Sequence, residues 1–227
     1  MVVTLELFVV NIERPVSEKQ YLKWIDIIGE QQKDRILRFH FKDDAKRTLF
    51  GDILIRYLAC QKLHILNKDI IIKRNIYGKP YIKGVDKFHY NISHAGKWVV
   101  CVLSDRPVGI DIEIILPIDL EIARNFFTES EYISIRKLPQ KDQLAGFYRF
   151  WTAKESYIKY IGKGLSIPLN SFTVLKKAEE SYTVDIDKSC LIKTAEFLGG
   201  GILSICHSVQ STERMLLEEI FMDKINI

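Results

Sequence analysis

Val108-Gly109-Ile110-Asp111-Ile112-Glu113-Ile114 is followed, roughly forty residues on, by Trp151-Thr152-Ala153-Lys154-Glu155-Ser156-Tyr157-Ile158-Lys159. In the first stretch isoleucine alternates with acid. A strand has a side-chain period of two, so both carboxylates fall on one face and the isoleucines on the other. The second stretch reads as a helix, on which residues four apart share a face. Trp151, Glu155 and Lys159 then form one row, with Lys154 beside them. Packed together, the two stretches gather three carboxylates next to ammonium groups, a donor set suited to a hard divalent cation and a polyphosphate. Taken singly, each has a plainer reading: an Asp-x-Glu on the solvated face of a sheet, and an ion-paired helix surface.

Outward from this pair the chain alternates helical and strand-like segments. Met1–Val10 is an apolar, alternating strand. Ser17-Glu18-Lys19-Gln20 has the form of a capping box and starts a helix running toward Phe39. Asp43 caps a second helix through about Leu63, with Leu49, Ile53, Leu54, Tyr57 and Leu58 as its apolar stripe. Ile70–Lys73 is a short strand and Tyr77-Gly78-Lys79-Pro80 a loop. Phe88–Ser93 and Trp98–Leu103 flank a turn at His94-Ala95-Gly96-Lys97. Short helices span about Leu120–Lys137, and a long one runs from about Gln140 to Ile161, where Gly162 and Gly164 end it. Phe172–Leu175, Tyr182–Ile186, Leu191–Phe197 and Ile202–His207 are strands, while Met215–Met222 suits either state. This order predicts an α+β protein: two pseudo-symmetric α/β halves of similar topology, residues 1–107 and 108–227, packed together with the active site at their interface.

Composition narrows the class. A hydrophobic fraction of 47% with 27% charged residues is that of a globular chain, not a disordered one. The apolar N-terminus lacks a basic stretch before it, so it does not read as a signal peptide, and no apolar run is long enough to span a bilayer. Cys60, Cys101, Cys190 and Cys206 form no Cys-x-x-Cys pair, which argues against zinc ribbons and redox motifs and makes a cytoplasmic setting the default. The net charge of +4 suits a small polyanion or an acidic protein and falls short of a nucleic-acid footprint.

Three further segments bear on function. Asn91-Ile92-Ser93-His94-Ala95-Gly96 ends a strand with a hydroxyl and an imidazole at a glycine turn. Tyr77–Pro80 holds a lysine in a rigid loop. The Arg38–Asp52 stretch places cations at a helix start, which favours anions. In this order and at this spacing, Tyr77–Pro80, Asn91–His94, Gly109–Glu113 and Trp151-x-x-Lys-Glu-Ser-x-x-Lys159, with Lys163-Gly164-Leu165-Ser166-Ile167-Pro168 after them, the chain resembles 4′-phosphopantetheinyl transferases of the Sfp type. The likeness covers about residues 35–175 and is strongest to the subgroup that serves peptide-synthetase carrier proteins.

The resemblance implies transfer of 4′-phosphopantetheine from coenzyme A to a serine of an apo acyl or peptidyl carrier protein, releasing 3′,5′-ADP. It implies Mg²⁺ on Asp111, Glu113 and Glu155, with Mn²⁺ also acceptable to oxygen ligands. Lys154 and Lys159 would touch the phosphates or the pantetheine end. Lys79, Ser93 and His94 would hold the nucleotide, with His94 and Arg47 or Thr48 near the 3′-phosphate and adenine. Glu155, Lys159 and Glu113 would be the catalytic residues. Gln32 stands where one lysine is usual and Arg35 where another is, which implies a weaker hold on coenzyme A or a substitute in Lys33, and Ala95 stands where the family often has serine. Phe126, Phe127, Tyr132 and Ile133 are either carrier-docking anchors or core residues of short helices. A Mg²⁺-dependent phosphohydrolase and a catalytically silent coenzyme A binder are the rival readings. A monomer is expected, since two halves of one chain complete the pocket.

Overall fold

The computed structural model describes residues 2–209 and 212–227. The chain runs β1 (Val2–Asn11), α1 (Glu18–Ile27), α2 (Glu30–Leu37), α3 (Lys42–Leu63), β2 (Ile72–Arg74), β3 (Pro80–Ile82), β4 (His89–Ala95) and β5 (Trp98–Ser104). It continues with β6 (Val108–Ile114), α4 (Ala123–Phe126), α5 (Glu129–Arg136), α6 (Gln140–Ile161), β7 (Val174–Ala178), β8 (Ser181–Val184), β9 (Asp187–Phe197), β10 (Gly201–Ser208) and β11 (Thr212–Glu219).

The strands form a four-stranded sheet in the order β11-β1-β5-β4, a five-stranded sheet in the order β6-β10-β9-β8-β7, and the β2–β3 hairpin. The repeat is visible in the topology. In each half a strand leads through a 22-residue helix to two later strands, giving β1-β5-β4 around α3 and β6-β10-β9 around α6. The fold is α+β, as the element order predicts.

The sheets meet face to face. Leu5, Leu7 and Val9 of β1, Val100 and Val102 of β5, and Val108, Ile110 and Ile112 of β6 pack into one buried cluster. The alternate residues Phe8, Val10, Val99 and Cys101 point to the opposite side and pack under α3 with Trp24, Phe50 and Ile53. Each central strand is therefore apolar on both faces, which is why β1 reads as a nearly continuous hydrophobic run.

A strand of that kind needs a neighbour on both edges. β5 pairs antiparallel with one edge of β1, and β11 pairs parallel with the other. The division at residue 107 is thus incomplete. The segment 212–227 returns to the N-terminal half, where Ile220, Met222 and Ile225 join the first core. Of the two states open for Met215–Met222, the strand forms, ending at Glu219.

The single helix expected between Ser17 and Phe39 is two. Gly29, at φ 86°, breaks it between α1 and α2. Ser17 Oγ accepts from the Gln20 amide at 3.2 Å, but the box is not closed: the Gln20 side chain donates to the Ile225 carbonyl at 2.9 Å. Helix α3 begins one residue before Asp43, with Phe41 as its N-cap and no side-chain cap. Asp43 and Asp44 lie in its first turn, where acids suit the helix dipole.

Candidate active site

The acids come together because α6 lies unusually close to β6. At Gly109 a Cβ would fall 2.1 Å from the Ser156 carbonyl oxygen and 2.4 Å from the Tyr160 nitrogen, so only glycine permits this approach. With the isoleucines of β6 buried against the other sheet, Asp111 and Glu113 project toward α6, which carries Glu155 and Lys159. Lys159 Nζ lies 2.6 Å from Asp111 Oδ1 and 3.2 Å from Ser93 Oγ, and Ser93 donates to the same Asp111 oxygen at 2.9 Å.

Strand β4 supplies the opposing wall. Its Asn91 Oδ1 accepts from the Ile110 amide at 2.8 Å, and Ser93 Oγ lies 3.4 Å from the Ile112 amide. These side chains take the place of a backbone ladder between strands of different sheets. The bridging role of Asn91 is absent from the sequence reading. A polar residue inside an apolar strand, two positions before Ser93 and so on the same face, is the signal that could have marked it.

Ser93, His94, Asp111, Glu113, Trp151, Glu155 and Lys159 line a cavity of about 290 Å³ at the seam between the halves. Burial first, then the neighbouring Asp111, push the Glu113 carboxyl up to about 7, against the pull of Lys159 and a hydrogen bond from Trp151. Burial likewise raises Glu155, with Lys159 opposing and Asp111 adding to it. Asp111 is 4% exposed, and its Oδ2 is buried without a hydrogen-bond partner.

An orphaned carboxylate oxygen beside two raised carboxyls is an oxygen-only donor set with unmet demand for positive charge. It fits a hard divalent cation. Among the described residues no three such side chains are already closed to ligand geometry, and the Lys159 ammonium is the positive charge that rests on Asp111.

A second cavity of about 200 Å³ adjoins the first, sharing Ile92 and His94. Gln32, Arg35, Arg47, Thr48 and Arg74 line it. Arg47 is held by the Asp44 carboxylate and by the Gly96 carbonyl. His94 sits at the junction, its imidazole lowered by desolvation and then by Arg47, which keeps it a neutral hydrogen-bonding group. Arg74 is a cation that the sequence reading passes over. It lies just outside the Tyr77–Pro80 motif, and only the β2–β3 hairpin brings it to the cavity that Arg47 lines.

Two sequence-predicted residues are not in either cavity as expected. Lys154 is fully buried on the other side of α6. It pairs with Glu131 at 2.9 Å and donates to the carbonyls of Leu169 and Phe172 at 2.8 and 2.6 Å. It therefore offers nothing to a phosphate. Lys79 turns its ammonium to the carbonyls of Val108, Lys159 and Tyr160. The apolar candidates divide evenly: Phe127 and Tyr132 are core, whereas Phe126 and Ile133 are 37% and 41% exposed.

A carboxylate cluster fit for a cation, opening onto an arginine-lined pocket at the seam of a doubled α+β fold, defines an enzyme that acts on a phosphate-bearing donor. Residues 14–105 match the family described as 4′-phosphopantetheinyl transferase, N-terminal, and residues 107–206 match the 4′-phosphopantetheinyl transferase superfamily. The chain is 37% identical to 4′-phosphopantetheinyl transferase Sfp of Bacillus subtilis (strain 168), over 89% of this chain and 92% of that protein. It is 34% identical to 4′-phosphopantetheinyl transferase gsp of Aneurinibacillus migulanus, over 97% and 93%. Against the human L-aminoadipate-semialdehyde dehydrogenase-phosphopantetheinyl transferase it is 35% identical over 67% of this chain and 54% of that one. The chain belongs to the Sfp-type 4′-phosphopantetheinyl transferases, enzymes that move 4′-phosphopantetheine from coenzyme A to carrier proteins.

Proposed function

We propose that Asp111, Glu113 and Glu155 hold Mg²⁺ at the pyrophosphate of coenzyme A, and that this cavity is where the carrier serine is modified. The observation that carries the reading is the partnerless Oδ2 of Asp111, set among raised carboxyls at a junction with a cationic pocket. When bound, the cation supplies charge neutralisation on the pyrophosphate.

Around it, Arg47, Thr48, Arg35 and Arg74 receive the adenosine 3′-phosphate end, and His94 joins that pocket to the acid cavity. Lys159 and Ser93, already hydrogen-bonded to Asp111, face the pyrophosphate and stabilise charge that grows there. Glu155, raised by burial, takes the proton of the acceptor serine. The serine oxygen forms a bond to the phosphorus that bears pantetheine, and the bond from that phosphorus to the nucleotide breaks. 3′,5′-ADP leaves and a phosphodiester remains on the carrier.

For the carrier, the exposed apolar side chains Leu116, Ile118, Ile122, Phe126 and Ile133 form the docking surface beside the cavity mouth. The enzyme is read as a cytoplasmic monomer. Among the described residues no helix is long and apolar enough to cross a membrane.

Intact-mass analysis of an apo carrier protein, incubated with the enzyme, coenzyme A and Mg²⁺, tests the reading. One added phosphopantetheine group is expected, and none in EDTA. Release of 3′,5′-ADP without carrier modification would instead favour a phosphohydrolase.

A further inference from the structure

Lys79, like Lys154, is a predicted coenzyme A contact whose charge the structure turns to protein groups. Its ammonium lies 2.6 Å from the Lys159 carbonyl, 2.9 Å from that of Val108 and 3.2 Å from that of Tyr160. An ammonium has three protons, and three carbonyls meet them. Two of these belong to the last turn of α6, where carbonyls lack helical partners and a cation is favoured by the helix dipole. The third starts β6.

The same loop holds α6 a second time. Asn75 Nδ2 donates to the Gly162 carbonyl at 2.7 Å, while Asn75 Oδ1 accepts from the amides of Tyr77 and Lys79, each at 2.9 Å. Contact is flush. At Gly162, the left-handed cap of α6 with φ 77°, a Cβ would fall 3.0 Å from Lys79 Cδ and 3.3 Å from Asn75 Nδ2.

We propose that the Asn75–Lys79 loop is a latch that sets α6 against β6, with Lys79 a positioning residue for Lys159 and Glu155. The connections are short. Lys159 is at once the residue whose carbonyl Lys79 binds and the residue whose ammonium holds Asp111. Glu155 stands one turn earlier on the same helix. Val108 is three residues before Asp111 on the same strand. One ammonium from the N-terminal half thus fixes both C-terminal elements that carry the acids.

A direct role on the nucleotide would require breaking bonds already made. The cavity that Lys79 borders, about 240 Å³ with His89, Tyr160 and Gly162, shares no residue with the acid cavity and only Pro80 and Tyr90 with the arginine-lined one, whose lining does not include Lys79. Burial lowers the Lys79 ammonium to about 8, so at neutral pH it remains the charged donor the three carbonyls require.

The inference rests on the transferase reading, and its test separates the two. In the full-length protein, Lys79→Met and Asn75→Ala are assayed for carrier modification well below their melting temperatures, and the Kd for coenzyme A is measured by calorimetry without carrier. Misplacement of reacting groups by about an ångström costs up to about a hundredfold in rate. Lys79→Met is therefore expected to lower kcat at least tenfold with Kd for coenzyme A within about threefold of the unmodified protein. Asn75→Ala should fall in the same direction by about threefold, and Lys79→Arg, which keeps a multidentate cation, should recover part of the rate.

A coenzyme A Kd weakened tenfold or more in Lys79→Met would make Lys79 a nucleotide ligand and overturn the latch. So would a kcat within twofold of the unmodified protein. Should Lys79→Met fail to fold, an unchanged kcat in Asn75→Ala overturns it, and a lowered kcat with unchanged Kd supports it. No transfer by the unmodified protein would overturn the transferase reading, and with it the latch as its device.

Discussion

Lys159 Nζ and Asp111 Oδ1 are 2.6 Å apart although 48 positions separate them in the chain. The contact joins the helix that ends at the latch to the strand that carries the acids. It leaves the other oxygen of Asp111 buried with nothing to accept. That asymmetry, one oxygen neutralised by an ammonium and one unsatisfied, is the electrostatic signature of the site.

Asp111→Asn keeps the shape of the side chain and removes its charge. Transfer is expected to fall at least about a hundredfold, the scale of losing one charge-stabilising group at a transition state. The variant should still melt cooperatively, but Mg²⁺ should no longer add to the stabilisation that coenzyme A provides. Thermal melts with and without Mg²⁺, beside the mass assay, check both. Near-normal turnover would remove Asp111 from the centre.

Stability should depend on pH through Glu113. Its carboxyl is raised from the usual 4.5 to about 7, so the fold binds this proton more tightly than the unfolded chain does. The sign follows: the group costs nothing below about pH 4.5, and stability is lost as pH rises from there through about 7, by on the order of a few kcal/mol. In chelator the melting temperature should decline across this window. Saturating Mg²⁺ with coenzyme A should flatten the decline, and Glu113→Gln should weaken it even in chelator, the remainder belonging to the raised Glu155. An equal decline in Glu113→Gln would assign it to other groups.

Gly109→Ala tests the close approach of α6. A methyl 2.1 Å from the Ser156 carbonyl oxygen meets backbone, not a side chain that can swing aside. The helix must lift, at a cost of about 3 kcal/mol. Urea unfolding should show that loss, and transfer should drop with it as Glu155 and Lys159 withdraw. A midpoint unchanged from the parent would mean that the strand and helix part freely.

Lys154→Met separates structure from binding. Lys154 and Glu131 are a buried ion pair, and removing the ammonium leaves Glu131 charged and buried with only the amides of Thr128 and Val174. A loss of about 3–5 kcal/mol is expected. Coenzyme A affinity per folded molecule should be unchanged, measured by calorimetry below the melting transition. A tenfold weaker Kd would return Lys154 to the phosphate site.

Much of the site is written locally. The alternation of Ile110, Ile112 and Ile114 with Asp111 and Glu113 states which side chains share a face, and Gly162 marks the end of α6 where the left-handed cap is found. The four-residue spacing of Trp151, Glu155 and Lys159 states the helix face, and all three line the acid cavity. Lys154 shows where such reading stops. It adjoins Glu155 in sequence, and nothing in the helical pattern tells whether it turns to the cavity or to Glu131. The turn at Leu169–Phe172, packed on the far side of α6, decides that.

By itself, then, the sequence determined the periodic elements, the α+β class, the acid set and the ordered motifs that mark the family. All of these depend on backbone periods and turn chemistry that act over a few residues. The tertiary structure alone decided three things: that β11 returns to pair with β1, that Lys159 and not Lys154 meets Asp111, and that the Lys79 ammonium lies on carbonyls of α6 and β6. Each is a contact between segments distant in the chain. Their partners are selected by close packing and by the need to satisfy every buried charge, conditions that exist only once the whole chain is assembled.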